Sequence, residues 1–324
     1  MADHRRRVFL DTGTLWLPEP EFAPLCDLGP ISLYPHTTPG QLHERIRAAE
    51  IVLTNKVRMD AAALDAAPQL KLICVAATGT NNVDLDAARR HGVCVCNVVG
   101  YAAESVAQHT ITLLLNLVTQ MPRYLNETPR AWPNTAGFCF IEHPVGEVFG
   151  MTLGIVGVGH IGRRVATLAA ALGMRVLLAE RQQATPRPGR TAFSQVLEQA
   201  DVLSLHCPLT DQTRHLVDAT TLARMRPGAL LLNTARGGLV DSQALLESLK
   251  HGHLGGAGID TLDTEPPRAD HPLLCAGLPN LLVTPHNAWG SLTARRRLIL
   301  GLAENISAFA AGRPRNVVNE SGAT

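Results

Sequence analysis

Leu153-Gly-Ile-Val-Gly157-Val-Gly159-His160-Ile161-Gly162 carries a short apolar run into a helix-like one, Ile161 to Leu172, through three glycines spaced G-x-G-x-x-G. The spacing alone is weak evidence, but a strand before it and a helix after it make it a dinucleotide-binding fingerprint. The first glycine permits the tight turn, the second admits a pyrophosphate, and the third lets helix and sheet pack closely. The positive end of the helix then attracts the phosphates. Glu180 closes the next apolar run, Arg175 to Glu180, where an acid is expected to bind the adenosine ribose hydroxyls and to favour NAD over NADP. Arg181, Arg187 and Arg190 follow closely, and any of them turned inward would suit NADP instead.

Outward from this unit the chain keeps alternating. Downstream apolar runs lie at Val202 to His206, Leu230 to Asn233, Ala257 to Asp260 and Leu281 to Thr284. Upstream runs lie at Arg7 to Leu10, Ile31 to Tyr34, Ile51 to Thr54, Leu70 to Ala77 and Val93 to Val98, separated by helix-like segments such as Gln41 to Ala49 and Val83 to His91. This pattern predicts α/β architecture with two Rossmann-like, doubly wound parallel sheets. Residues 104–290 are expected to form the dinucleotide-binding domain, inserted into a flavodoxin-like substrate domain made of residues 1–103 and 291–324. Glu104 to Met121 reads as a long buried helix, and a final helix over Ser291 to Ala311 stops at Gly312 and Pro314. Pro122 to Gly150 has four prolines and no clear periodicity, yet holds Trp132, Phe138, Phe140 and Phe149; it is expected to be a dimerisation arm of a homodimer.

The 324 residues exceed what a single core usually serves, in keeping with two domains. With 29 basic and 28 acidic side chains, nothing in bulk charge calls for nucleic acid. Seven scattered cysteines with no CxxC pair argue against a disulfide framework and for a reduced, cytoplasmic setting. No apolar run is long enough to span a membrane, and no signal peptide is evident at the start. The histidines and acids show no metal-ligand spacing, so no metal site is expected.

Three of the late apolar runs end at ionisable residues. Leu230 to Ala235 delivers Arg236, Ile259 and Asp260 lead to Glu265, and Leu281 to Pro285 delivers His286. Parallel strands would open these residues on one crevice. A guanidinium can hold a carboxylate by a bidentate pair, an imidazole can exchange a proton near neutral pH, and a carboxylate can orient the imidazole. Hydride addition to a 2-oxo acid builds negative charge on the carbonyl oxygen, so a cation and a proton donor should be aimed there.

Asn233-Thr-Ala-Arg236-Gly-Gly-Leu-Val-Asp241, Asp260 to Glu265-Pro-Pro and Thr284-Pro-His286-Asn-Ala-Trp289 resemble the D-isomer-specific 2-hydroxyacid dehydrogenase family. Ala77-Thr78-Gly79-Thr-Asn-Asn-Val-Asp84 and Tyr101-Ala-Ala-Glu-Ser-Val-Ala-Gln-His109 extend the likeness through the first domain, most like the glycerate dehydrogenase or hydroxypyruvate reductase branch. Two departures stand out: Val99 replaces a usual proline, and Arg181 to Arg190 is rich in proline and arginine.

The resemblance implies that Arg236 binds the substrate carboxylate and 2-oxo oxygen, His286 is the acid or base, and Glu265 holds the imidazole. It implies that Ala77, Thr78 and Gly79 complete the carboxylate site from the other domain, with closure accompanying catalysis. Thr234, Ala235, Asp260 and His286 would flank the nicotinamide, with Cys207 and Pro208 near the cofactor. His160, Ile161, Arg181 and Thr213 are further expected cofactor contacts. Tyr101, Trp289 and Asn55 to Arg58 are candidates for the substrate pocket. The expected activity is reduction of hydroxypyruvate, glyoxylate or a related small 2-oxo acid, with the matching D-2-hydroxy acid in reverse. The alternatives are another acid on the same machinery (phosphoglycerate, phosphonate, formate or a sugar-derived 2-oxo acid) or a dinucleotide-sensing, corepressor-like binding protein. His109, His143, His206, His251 and His271 read as ordinary structural histidines.

Overall fold

In the computed structural model, which describes residues 5–320, eleven strands form two all-parallel sheets. The chain divides into two units, Met1–Ala102 with Gly290–Thr324, and Ala103–Trp289. The first sheet contains β1 (Arg7–Phe9), β2 (Ile31–Leu33), β3 (Ile51–Thr54), β4 (Leu72–Val75) and β5 (Cys94–Cys96), in the order β2-β1-β3-β4-β5. This is the flavodoxin-like order. Strands β3 and β4 are buried at every residue, because helices cover both faces of a parallel sheet.

The end of the chain belongs to this first unit. Ser291 caps the helix Leu292–Ala310 by accepting from Ala294 N, and Leu298, Ile299, Leu302 and Ile306 are buried along one side of the helix. Asn305 donates to the Asn97 carbonyl at 2.7 Å. Beyond the helix, Asn319 accepts from Val95 N and donates to Val93 O, fastening the chain along β5.

The second sheet contains β6 (Thr152–Val156), β7 (Arg175–Leu178), β8 (Val202–Leu205), β9 (Leu230–Asn233), β10 (Gly256–Ile259) and β11 (Leu281–Val283), in the order β11-β10-β9-β8-β6-β7. Thr191 bridges Ala179 in parallel just past β7. Counted from β6, this is the doubly wound dinucleotide-binding order with its third strand reduced to one residue pair. Alternate residues fill two cores: Leu203, Leu205 and Leu231 pack on one side of the sheet, and Val202, Leu230 and Leu232 on the other. The latter core receives Ala107, Ile111, Leu114 and Leu117 of the helix Ala103–Thr119.

The structure corrects the reading of 122–150 as aperiodic throughout. A helix runs over Met121–Ala131, followed by a short 3-10 turn, Trp132–Asn134. Gln120, at φ 55°, breaks the chain between this helix and the preceding one, and Pro122 lies in its first turn, where a missing N–H costs nothing. Phe140 meets Tyr124 and His143 edge to face, and the Tyr124 hydroxyl donates to the His143 carbonyl. Phe138, Ile141, Val145 and Phe149 remain exposed in this unit, Phe138 at 93%.

Candidate active site

The glycine turn lies where the strand order reverses, at the carboxyl ends of β6 and β8. Gly157 has φ +94°, and a Cβ there would fall 2.4 Å from Cys207 N. A Cβ on Gly162 would fall 2.1 Å from the Gly157 carbonyl oxygen. Gly159 differs, because a Cβ would meet nothing within 4 Å. Two glycines therefore serve close packing and the third keeps the approach to the helix His160–Ala171 open. No side chain caps that helix at Gly159, so its amino-terminal end, with His160 and Ile161 in its first turn, fits a pyrophosphate.

Strands β9, β10 and β11 are consecutive neighbours, so their carboxyl ends present Arg236, the loop bearing Glu265, and His286 on one edge of the sheet. His286 Nδ1 lies 2.6 Å from Glu265 Oε2. The other carboxylate oxygen accepts from Leu262 N at 2.9 Å, which sets the plane of Glu265 within its own loop. With Nδ1 engaged, Nε2 is the imidazole nitrogen directed to chemistry. The His286 backbone has φ 50°, a left-handed conformation uncommon outside glycine. Trp289 Nε1 donates to the His286 carbonyl at 2.9 Å and helps hold that turn.

Arg236 is half-buried, and its Nη1 donates to the neighbouring Ala235 carbonyl at 2.7 Å. Among the described residues no carboxylate lies within 4 Å of its guanidinium. Asn233 positions the turn: its Nδ2 donates to Arg236 O, and its Oδ1 accepts from Ala235 N. A Cβ on Gly237 would fall 1.9 Å from the Leu262 carbonyl carbon, so this glycine brings the Arg236 turn against the Glu265 loop.

Asp260, expected beside the nicotinamide, is 1% exposed. Oδ1 accepts from the Thr284 hydroxyl at 2.6 Å and Asn287 N at 3.1 Å, and Oδ2 accepts from Ala288 N at 3.1 Å. Asp260 thus anchors the loop that carries His286. Thr284 gives its only hydroxyl hydrogen to Asp260, so its oxygen accepts from His109 Nε2 at 3.0 Å. His109, to which the sequence assigned no role, therefore belongs to the same network. Thr234 is likewise buried and bonded to Thr110 at 2.9 Å.

Cys207 is half-buried beside the glycine turn, and burial pushes its thiol up to about 11. Thr213 Oγ accepts from Thr210 N and donates to the Pro208 carbonyl, closing the exposed loop after β8. In the first unit, Ala77, Thr78 and Gly79 follow β4. The Ala77 carbonyl accepts from Val98 N, Thr78 Oγ donates to Val98 O, and Asn97 Nδ2 donates to Thr78 O. Tyr101 is buried, and its carbonyl accepts from Arg297. The loop from Asn55 is held by buried Asp11, whose carboxylate accepts from the amides of Asn55, Lys56 and Val57.

Residues 111–288 match the NAD-binding domain model of the D-isomer-specific 2-hydroxyacid dehydrogenases. The glycerate dehydrogenase of Methylorubrum extorquens is 44% identical over 282 residues, 87% of this chain and 89% of that one. The chain belongs to this family. The hydroxypyruvate reductase of Blautia hydrogenotrophica is 34% identical, covering 90% of this chain and 93% of its own. The solved D-lactate dehydrogenase of Aquifex aeolicus, complexed with NAD and lactic acid, superposes with a TM-score of 0.83 at 26% identity, covering 98% of this chain and 100% of that one. The chain is an NAD-domain oxidoreductase of 2-hydroxy acids, and none of its helices is long and apolar enough to cross a membrane among the described residues.

One feature of this dehydrogenase departs from expectation. Glu180, expected to meet the adenosine ribose, already accepts four hydrogen bonds from its own chain. Oε1 takes Arg181 N at 2.9 Å and Arg187 Nη2 at 2.7 Å; Oε2 takes Arg187 Nε at 2.6 Å and Arg187 N at 3.3 Å. The Arg187 guanidinium, with these amides, holds the carboxyl down at about 2. As positioned, both carboxylate oxygens of Glu180 are engaged by its own chain.

Proposed function

We propose that this dehydrogenase reduces a small 2-oxo acid, with hydroxypyruvate and glyoxylate favoured, to the D-2-hydroxy acid. The observation that carries this reading is the Glu265–His286 bond beside an Arg236 that lacks a carboxylate partner among the described residues. A bound nicotinamide cofactor supplies the hydride. Arg236 holds the substrate carboxylate and 2-oxo oxygen, its planar fork fixing the substrate plane as lysine could not. His286 gives a proton from Nε2 to the oxygen as charge develops, and Glu265 fixes the imidazole and stabilises its positive form. Backbone at Ala77, Thr78 and Gly79 is assigned to the substrate carboxylate, and Tyr101 and Trp289 to its tail.

The names of the relatives, glycerate dehydrogenase and hydroxypyruvate reductase, support the short substrate. The exposed apolar residues of 122–150 support a homodimer formed through that arm, to be read by sedimentation. Seven free thiols support a reducing, cytoplasmic setting. Steady-state kinetics on a panel of 2-oxo acids tests the reading. Hydroxypyruvate or glyoxylate should give the highest kcat/KM, with a D-configured product. A preference for 3-phosphohydroxypyruvate or a branched 2-oxo acid would replace the substrate, and no turnover on any of them would reject the reading.

A further inference from the structure

The ten residues after Glu180 form an excursion tied at both ends. Glu180 N donates to Thr191 O, and Thr191 N donates to Leu178 O. Within it the chain reads Thr185-Pro186-Arg187-Pro188-Gly189-Arg190. Prolines on both sides restrict the backbone at Arg187, and Arg190 N closes a turn onto the Arg187 carbonyl. This segment thus delivers Arg187 to the carboxyl end of β7, where the adenosine ribose of a bound dinucleotide belongs. Its side chain is 66% exposed while that of its partner Glu180 is 3% exposed. The pair therefore presents solvent with a guanidinium and hides the carboxylate beneath it.

This reverses the electrostatics of the position. An exposed acid accepts ribose hydroxyls and repels a 2′-phosphate, whereas a neutralised acid under an arginine does neither. Arg187 uses Nε and Nη2 on Glu180, and no bond from Nη1 to the protein appears among those described. Arg181 and Arg190 add two further cations to the same segment.

We propose that Arg187 is the cofactor-specificity determinant, and that through it the enzyme binds the 2′-phosphorylated dinucleotide, NADP(H), at least as well as NAD(H). The proposal rests on the dinucleotide-binding reading of this unit and not on the identity of the 2-oxo acid. Glu180 acts as a positioning residue that holds the guanidinium over the ribose site until a phosphate competes for it. Arginine suits this exchange because its planar fork pairs with carboxylate and phosphate alike.

Calorimetric binding of adenosine 2′,5′-bisphosphate and of 5′-AMP reads the ribose site without turnover. The wild-type protein should bind the bisphosphate roughly 10-fold or more tightly than 5′-AMP, with an advantage that shrinks as salt is raised. Arg187→Ala should abolish that advantage without weakening 5′-AMP, because the phosphate-directed contact is lost while the Glu180 carboxylate is freed to accept ribose hydroxyls. Arg187→Gln serves as a second variant should the alanine change disturb the segment, with thermal melting as the folding control. Arg187→Lys should keep part of the preference, as charge without the fork. The KM for NADPH should rise in the alanine variant relative to that for NADH. A wild-type protein that favours 5′-AMP, or a variant in which both ligands weaken equally, would overturn the proposal. Turnover of 2-oxo acids with NADH would survive that outcome, so the two readings fail separately.

Discussion

Asp260 and Thr284, at the ends of adjacent strands β10 and β11, are joined carboxylate to hydroxyl at 2.6 Å. The same carboxylate gathers the amides of Asn287 and Ala288, so the turn holding His286 at φ 50° is drawn over a buried negative charge. The charge accepts from three donors and helps maintain a backbone conformation that a histidine rarely adopts. Asp260→Asn would set an NH2 group where an acceptor is required and leave at least one buried donor unmatched. The expected loss is about 1–3 kcal/mol of stability together with reduced turnover. Denaturant unfolding and kcat on one sample check both, and an unchanged unfolding midpoint would remove Asp260 as the anchor.

His286→Ala should lower kcat by ~10² to 10⁴-fold while cofactor affinity changes little, since proton transfer is lost and the dinucleotide turn at Gly157 is untouched. Glu265→Gln keeps a similar shape and an acceptor oxygen but removes the charge beside Nδ1. Its kcat should fall less than that of the alanine variant, with an altered pH profile. Near wild-type turnover without the imidazole would exclude His286 as the proton donor.

Arg236→Lys should raise the 2-oxo acid KM and also slow reduction. Lysine preserves the charge but not the planar fork, and Gly237 packs this turn too tightly against Leu262 for the backbone to compensate. Kinetics indistinguishable from wild type would take Arg236 out of substrate binding.

The parallel sheets were legible where apolar runs are short and bounded. Ile51–Thr54 and Leu230–Asn233 form strands over the residues read from their composition. The helix Met121–Ala131 was not, because Pro122 and Pro129 fall inside it and read as breakers. Arg236, Glu265 and His286 could be found because each follows a strand or its loop in a recognisable motif. His109 could not, because its partner Thr284 is 175 residues away and nothing local marks the pairing. Glu180 illustrates a further gap: the acid was legible, but its occupation by Arg187 depends on how a proline-flanked turn folds back.

Gly157→Ala should weaken dinucleotide binding and destabilise the second unit together. At φ +94° an alanine carries a strain of ~1–3 kcal/mol before any clash is counted. Its Cβ would also press on Cys207 N, so the turn could relax only by parting β6 from β8. Gly159→Ala meets no protein atom and should leave folding near wild type while still hindering a pyrophosphate. Calorimetric titration with NADH, paired with thermal melting, separates the two. Equal melting losses in both variants would contradict the assignment.

Asp263 and His271 close the loop that carries Glu265, with His271 Nε2 2.8 Å from Asp263 Oδ1. The hydrogen bond from His271 holds the Asp263 carboxyl below its ordinary 3.8. A carboxyl depressed in the folded state favours folding when ionised, so this contribution is complete above that ordinary value and disappears as the pH falls through the lower folded one. Asp263 is half exposed, and solvent screening keeps the effect small. Asp263→Asn should therefore be less stable than wild type at pH 7, with the gap narrowing in acid toward pH ~3 as the wild-type carboxyl begins to protonate. Because the same loop sets Glu265 against His286, the variant should also lose turnover at neutral pH. Urea unfolding at both pH values, with kcat measured at neutral pH, tests the link, and a stability gap independent of pH would show that the pair acts by packing and not by charge.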